Sequence, residues 1–240
     1  MASRLLRSIP VWISRNSIDP MNMSMQHSIG ERVWFRMGLI KVFVFCALLA
    51  PSLLIAYAII FDPLSLGANP AESILHQTGD WVIYSLLLTL TVTPIRRLTK
   101  WNDIIKLRRM LGLFSFYYVC LHFLSYLGFD RLFDLSDMAR EIAKRPFILV
   151  GFLAFVLMIP LAVTSTRGWV LRLGGKMWAR LHKLVYPIAI LGIIHYWWLV
   201  KRDIFWPLLL GLVLSALLVY RLSSALRPQL RRRGVRVASK

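Results

Sequence analysis

Apolar positions in this chain fall into long continuous runs. Six such runs cover residues 37–61, 70–92, 106–128, 147–163, 177–200 and 204–222. As a helix, a run of roughly twenty residues crosses a bilayer core of about 30 Å. Transmembrane β-strands would instead alternate apolar and polar residues. The pattern predicts an all-α membrane protein, a bundle of six transmembrane helices.

Local signals mark several helix boundaries. In "ANPAES", Asn69 suits the N-cap of the second run, Pro70 its first position, and Glu72 completes a capping box. The polar stretch "DLSDMAREIAKRP" after the third run predicts a short amphipathic surface helix that ends before Pro146. We expect a poorly ordered extension over residues 1–36, the membrane domain over 37–222 and a basic tail over 223–240.

Charge gives the predicted orientation. The chain is 58% hydrophobic and carries a formal charge of +19, from 30 Lys and Arg against 11 Asp and Glu. Of the basic residues, 22 fall in the N-terminal segment, the second and fourth connections and the tail, and six in the other three connections. Basic segments stay in the cytoplasm, so both termini are predicted to be cytoplasmic. In a membrane protein an excess of Lys and Arg indicates which connections lie in the cytoplasm. We therefore expect no nucleic-acid partner.

Histidines stand at both ends of the fifth run, "LHKLVYPIAILGIIHYW". His182 and His195 are 13 residues apart, which is about 20 Å along a helix. His122 lies some 16 residues into the third run, which also enters from the cytoplasm. His122 and His195 should therefore lie at the same depth in the outer half of the membrane. On an ideal helix His182 and His195 would face different directions, so we expect a kink near Pro187 or Gly192.

Intramembrane histidines are costly unless they are satisfied, and they indicate a functional site or an interhelical hydrogen bond. A proton relay would need carboxylates, and the predicted membrane interior has none. Zinc requires three or four ligands close together, and these histidines are spread over too much depth. Two imidazoles from facing helices suit the axial positions of haem, and bis-imidazole ligation suits electron transfer.

This arrangement resembles the ferric-reductase-like transmembrane domain, whose members hold two b haems between two histidines on the third helix and two on the fifth. More narrowly, several motifs are similar to those of the haem-binding membrane subunits of the periplasmic protein-methionine-sulfoxide reductase system (MsrQ type). They are "GANPAESILHQTGDW", "TPIRRL", "RRMLGLFSFYYVCLHFLSY", "RPFILVGF", "AVTSTRGWVLRLGGKMWARLHKLVY" and "IHYWW".

The resemblance implies that His122 and His195 ligate an outer haem b and that His182 ligates an inner one. The family places a second inner ligand 13 or 14 residues before His122, where this chain has Arg109 and Arg108. These arginines are read as positive-inside anchors, as partners of haem carboxylates or as an unusual ligand.

His76 has two interpretations. It is either a surface-facing imidazole at a helix start, or it lies at the outer haem edge, a quinone site or a partner interface.

The resemblance also implies a multi-pass protein of a bacterial inner membrane, an electron-transfer subunit rather than the catalytic one. Electrons would come from the quinone pool or from a cytoplasmic flavin reductase, with FMN as a further carrier. They would pass to a periplasmic molybdopterin-containing catalytic subunit that reduces methionine sulfoxide in oxidised proteins.

Two alternatives stay open. A stand-alone ferric-chelate or quinol-oxidising cytochrome b would turn over without a partner. A transporter or scaffold whose histidines only bond between helices would be colourless.

Overall fold

The computed structural model describes residues 20–130, 132–200 and 204–238, with side chains over 36–129, 132–200 and 204–226. This part of the chain is helical and contains no strand. Its α-helices are α1 (Pro20–Phe61), α2 (Pro70–Thr99), α3 (Arg108–Ser125), α4 (Leu135–Lys144), α5 (Pro146–Val163), α6 (Arg167–Leu181), α7 (Val185–Leu199) and α8 (Phe205–Ala238). The chain divides into two compact units, residues 1–43 and 44–240.

The two terminal helices are longer than the sequence pattern predicts. Helix α1 begins at Pro20 rather than at about Met37, and α8 continues to Ala238 through the predicted tail. The extra residues include seven Arg and three Met, which favour helix without forming an apolar run. An apolar run marks the part of a helix that contacts lipid and not where the helix ends. Residues 1–19 of the predicted extension lie outside the described part of the chain.

Helix α2 is central to the second unit. It packs along α3 and also contacts α7 and α8, while α5 packs against α7 and α3. Side chains from α2, α3, α5, α7 and α8 form the main apolar core, in which Leu90 and Ile188 are almost fully buried. The predicted start of α2 is confirmed, because the Asn69 side chain accepts the backbone N–H of Glu72. Five helices therefore contribute to one interior.

The predicted surface helix is confirmed as α4, which ends just before Pro146. The Asp134 carboxylate caps it by accepting the backbone N–H groups of Ser136 and Asp137. Hydrogen bonds from Asp137 and Ser136 lower the pKa of Asp134 below its ordinary value of 3.8. The ionised cap therefore stabilises α4 fully at pH values above 3.8. This stabilisation is lost as the pH falls through the lowered pKa of Asp134.

The predicted fifth helix is not a regular α-helix throughout. A 3₁₀ turn at His182–Leu184 separates α6 from α7. Pro187 explains the position of the break, because proline has no N–H for the carbonyl four residues earlier, that of Lys183, and clashes with it. The change in helix geometry expected between the two histidines is therefore present as local rewinding, and it begins at His182 itself.

Five helical segments are long and apolar enough to cross a membrane: 36–61, 102–129, 146–163, 167–199 and 205–226. Helix α2, with 30 residues, is long enough but is not among them. It carries Glu72, Asp80, Arg96 and Arg97. The chain is thus an all-α, multi-pass membrane protein.

Candidate functional site: a histidine pair in an interhelical cavity

A cavity of about 330 Å³ lies between α2, α3, α5 and α7. Its volume is within the range of small-molecule and cofactor sites. Most of its wall is apolar. The charged or titratable side chains in the wall are His76, Asp80, His122, Tyr126, Arg145, His195 and Tyr196. An apolar chamber with a few polar groups suits a large, mostly apolar ligand.

His122 of α3 and His195 of α7 face each other in this cavity. Their ring centres are 6.2 Å apart and the ring planes make an angle of 83°. The prediction that the two histidines lie at the same depth is confirmed. Two imidazoles that share one metal ion, with metal–nitrogen bonds of about 2 Å, have ring centres roughly 6 Å apart. The observed spacing therefore fits one ion between the rings.

Each ring is held from behind by a backbone carbonyl. The Nδ1 atom of His122 lies 3.0 Å from the Leu75 carbonyl oxygen on α2. The Nδ1 atom of His195 lies 2.6 Å from the Phe147 carbonyl oxygen on α5. A carbonyl only accepts, so both Nδ1 atoms carry the proton and both Nε2 atoms keep a lone pair. Metal-bound histidines usually make this second hydrogen bond.

Two glycines allow this contact. Gly79 follows Leu75 by four residues and Gly151 follows Phe147 by four, so each glycine N–H pairs with the carbonyl that also accepts a histidine. A Cβ atom points toward the helix N-terminus and would cover that carbonyl. A Cβ at Gly151 would lie 2.7 Å from Nδ1 of His195, and one at Gly79 would lie 3.1 Å from Cε1 of His122. The same arrangement of a glycine, the helix carbonyl four residues before it and a histidine Nδ1 therefore occurs at both rings.

His182 lies in the 3₁₀ turn, outside the residues that line this cavity. Its ring stacks on Trp178 with ring centres 3.9 Å apart, and its Nδ1 lies 3.1 Å from the Trp178 carbonyl oxygen. Its Nε2 is buried, and within the described residues it completes no hydrogen bond, although the Leu161 carbonyl is near the ring. His182 thus presents one unused ring nitrogen inside the protein.

Comparison with known proteins gives the family. The family model described as "Ferric reductase like transmembrane component" matches residues 78–193. The haem-binding subunit MsrQ of protein-methionine-sulfoxide reductase from Herminiimonas arsenicoxydans is 53% identical over 188 residues, 78% of this chain and 85% of that protein. The protein of the same name from Rhodospirillum rubrum is 48% identical over 204 residues, 85% of this chain and 95% of that protein.

This chain belongs to the MsrQ family. The resemblance inferred from the motifs is therefore confirmed. The matched region includes all of α3 and α5. It also contains His122 and His182, and it ends two residues before His195.

The other predicted site residues of this MsrQ-family chain differ in their exposure and in the groups around them. His76 is exposed at the edge of the cavity, and its Nε2 lies 3.8 Å from a carboxylate oxygen of Glu72. Arg108, the first residue of α3, is partly buried and lies within electrostatic range of His182. Arg109 is exposed. The structure therefore brings Arg108 toward the inner histidine and does not bring Arg109 there.

The prediction that the membrane interior lacks carboxylates is wrong. Asp80 lies within α2, lines the cavity of the histidine pair and bonds to the Tyr196 side chain. Its position was overlooked because α2 was read from its apolar residues, and a single acid hardly disturbs such a run.

Sequence reasoning also gave no role to the two glycines, to Arg145 or to Arg221. Glycine inside a helix costs about 1 kcal/mol relative to alanine, so Gly79 and Gly151 carried a usable signal. Arginine inside an apolar run is another such signal, and it marks Arg221 of α8. Arg145 lines the cavity and forms an ion pair with Glu141.

Proposed function

We propose that this protein is a haem b electron-transfer subunit of a methionine sulfoxide reductase system. One observation carries the proposal: His122 and His195 face each other with ring centres 6.2 Å apart, each fixed through Nδ1 by a helix carbonyl. Bis-imidazole ligation leaves no open coordination site, which suits electron transfer rather than catalysis on a substrate. The relatives are named as haem-binding subunits of protein-methionine-sulfoxide reductase.

The residues at the cavity fit a haem. Both Nε2 atoms keep a lone pair, and Gly79 and Gly151 leave room that a methyl group would fill. Arg145 stands in the cavity wall, where a guanidinium suits the carboxylates of the porphyrin. When bound, haem supplies a reversible one-electron couple. The protein's own contribution is to hold the two imidazoles, fix their tautomer and keep the chamber apolar.

An inner haem would use His182, whose Nε2 is buried with no completed hydrogen bond in the described part of the chain. Its opposite axial position has no histidine candidate on α3. Arg108 lies within electrostatic range of His182, and because a guanidinium has no lone pair for iron it would serve the inner site by pairing with a haem carboxylate. We therefore assign Arg108 to the inner site and read Arg109 as an anchor at the membrane surface.

We propose the inner membrane as the location, with six crossings that include α2 and with both termini in the cytoplasm. Electrons would enter from quinol or from a cytoplasmic flavin donor, FMN included. They would leave for a periplasmic molybdopterin-containing catalytic subunit that repairs oxidised proteins. The sorting of 22 basic residues to one side supports this orientation. His76, exposed beside the cavity, would face the quinone or the partner.

The test is a haem-to-protein ratio with a reduced-minus-oxidised spectrum on detergent-purified protein. We expect a sharp low-spin b-type spectrum, and a loss of one haem per protein in His122→Ala and in His195→Ala. His76→Ala is the matched control and should keep both haems, because its ring borders the cavity but pairs with Glu72. An unchanged ratio and spectrum in both ligand variants would end the assignment.

A further inference from the structure

Two arginines lie within electrostatic range of each other toward the end of the bundle that holds His182. Arg108 begins α3, and Arg221 lies in α8, within a segment apolar enough to span a membrane. Both are partly buried, and the two charges are within electrostatic range of each other. Neither has a carboxylate within ion-pair distance among the side chains that the structure describes. We call Arg108 and Arg221 the arginine pair.

Arg221 makes two hydrogen bonds, both to neutral acceptors. Its Nη2 donates to the Leu90 carbonyl at 2.8 Å, and its Nη1 donates to the Tyr186 hydroxyl at 2.7 Å. Pro94 lies four residues after Leu90 and has no N–H, so it leaves that carbonyl without its helical donor. Arg221 thus satisfies a carbonyl that a proline has freed, and it joins α2, α7 and α8.

These hydrogen bonds satisfy donors, and the Arg221 guanidinium also lies over the Tyr186 ring, 5.4 Å from its centre, but no carboxylate offsets its charge in the described part of the chain. The Nε of Arg221 is buried and has no hydrogen-bond partner in the described part of the chain. Two like charges in a poorly solvated interior repel each other, and each also lacks the hydration it would have in water. Intramembrane cations normally pair with an anion or line a polar pathway. An anionic group placed between the two guanidiniums would remove both costs.

We propose that Arg108 and Arg221 bind an oxyanion group, a carboxylate or a phosphate, of a ligand held beside His182. Guanidinium groups bind carboxylate and phosphate through paired, charge-assisted hydrogen bonds. One source is a carboxylate of the inner haem, and this source rests on the proposed function. The other source is the phosphate of a membrane phospholipid, which is independent of haem.

The decisive variant is Arg108→Gln, because Arg221→Gln would also break the contacts to Leu90 and Tyr186. Arg109→Gln is the matched control, since it removes the same charge from an exposed neighbour on the same helix. Arg108→Lys keeps the charge but loses the paired donors.

Two measurements separate the sources. The first compares the binding of haemin with that of haemin dimethyl ester, which lacks free carboxylates, to haem-depleted full-length protein. The second counts phospholipid phosphate bound per purified protein. The outer histidine pair is the same in both Gln variants, so their difference reports the arginine pair.

If the oxyanion is a haem carboxylate, the wild type and Arg109→Gln should prefer haemin over the ester by roughly tenfold or more, and Arg108→Gln should lose that preference. If it is a phospholipid, neither porphyrin is preferred, and Arg108→Gln alone loses a bound phosphate. In either case Arg108→Lys should fall between the wild type and Arg108→Gln.

Equal behaviour of the two Gln variants in both measurements would overturn the proposal. A protein that binds no haemin would end the proposed function, while the phosphate count would still decide the arginine pair.

Discussion

Two glycines determine how closely the histidine rings approach the helices behind them. At Gly151 a Cβ would meet three atoms of the His195 ring at 2.7 to 3.1 Å, and at Gly79 it would meet the His122 ring at 3.1 to 3.2 Å. Contacts below 3.0 Å force a shift, whereas the second case needs only a small displacement. The two positions should therefore respond unequally to the same added methyl group.

We predict that Gly151→Ala removes most of the outer haem and that Gly79→Ala removes only part of it. The added Cβ would push the ring away from the carbonyl that fixes its tautomer. Gly112→Ala on α3 is the control, because its Cβ would make an ordinary contact at 3.8 Å. The haem-to-protein ratio and the reduced spectrum of the three variants measure the effect. Full haem content in Gly151→Ala would show that the close approach is not required.

Asp80 places a carboxylate in the same chamber as the histidine pair. A negative charge near a redox centre in a poorly solvated site favours the oxidised, more positive form. We predict that Asp80→Asn raises the midpoint potential of the outer haem by about 20–60 mV. Potentiometric titration measures the shift, with Glu72→Gln, an exposed acid on the same helix, as the control. An unchanged potential would mean that Asp80 is neutral or screened at this site.

The break between α6 and α7 determines which way His182 points. On an uninterrupted helix, 13 residues at about 100° each would leave His182 and His195 on different faces. The 3₁₀ turn at His182–Leu184 interrupts that geometry, and Pro187 fixes its position.

We predict that Pro187→Ala lets α6 and α7 join into one helix and turns His182 away from its site. The inner haem should be lost while the outer haem stays, because His195 keeps its contact with Phe147. Pro160→Ala, a proline inside α5, is the control. Spectra resolved by redox titration distinguish the two haems. Retention of both in Pro187→Ala would show that the break does not position His182.

Apolar periodicity and capping chemistry predicted the membrane helices, the start of α2 and the surface helix α4. They also paired His122 with His195, because depth follows from counting residues along helices. They did not specify the position of the 3₁₀ turn at His182–Leu184, since a proline five residues after His182 can bend, break or spare a helix. They missed Gly79, Gly151 and Arg221, because each acts through a carbonyl on another helix or on its own previous turn. Such contacts depend on how helices pack, which a single sequence does not contain.

The number of crossings determines which side of the membrane each end of the chain occupies. Five segments qualify by composition and α2 does not. Helix α2 nevertheless has 30 residues, about 45 Å of helix, and its core positions contact other helices rather than lipid. A helix surrounded by protein needs less apolar surface than one that faces lipid. With α2 the chain crosses six times and both ends lie on one side, whereas without it the ends lie on opposite sides.

We predict that α2 crosses the membrane, with Glu72 outside and Lys100 inside. The test is labelling by a membrane-impermeant maleimide of Glu72→Cys and of Lys100→Cys, each in a chain whose Cys46 and Cys120 are replaced by Ala. Glu72→Cys should react in intact spheroplasts, whereas Lys100→Cys should react only after permeabilisation. Labelling of both from the same side would show that α2 does not cross. The segment 167–199, which carries both His182 and His195, would still be long and apolar enough to cross, and the two ends of the chain would then lie on opposite sides of the membrane.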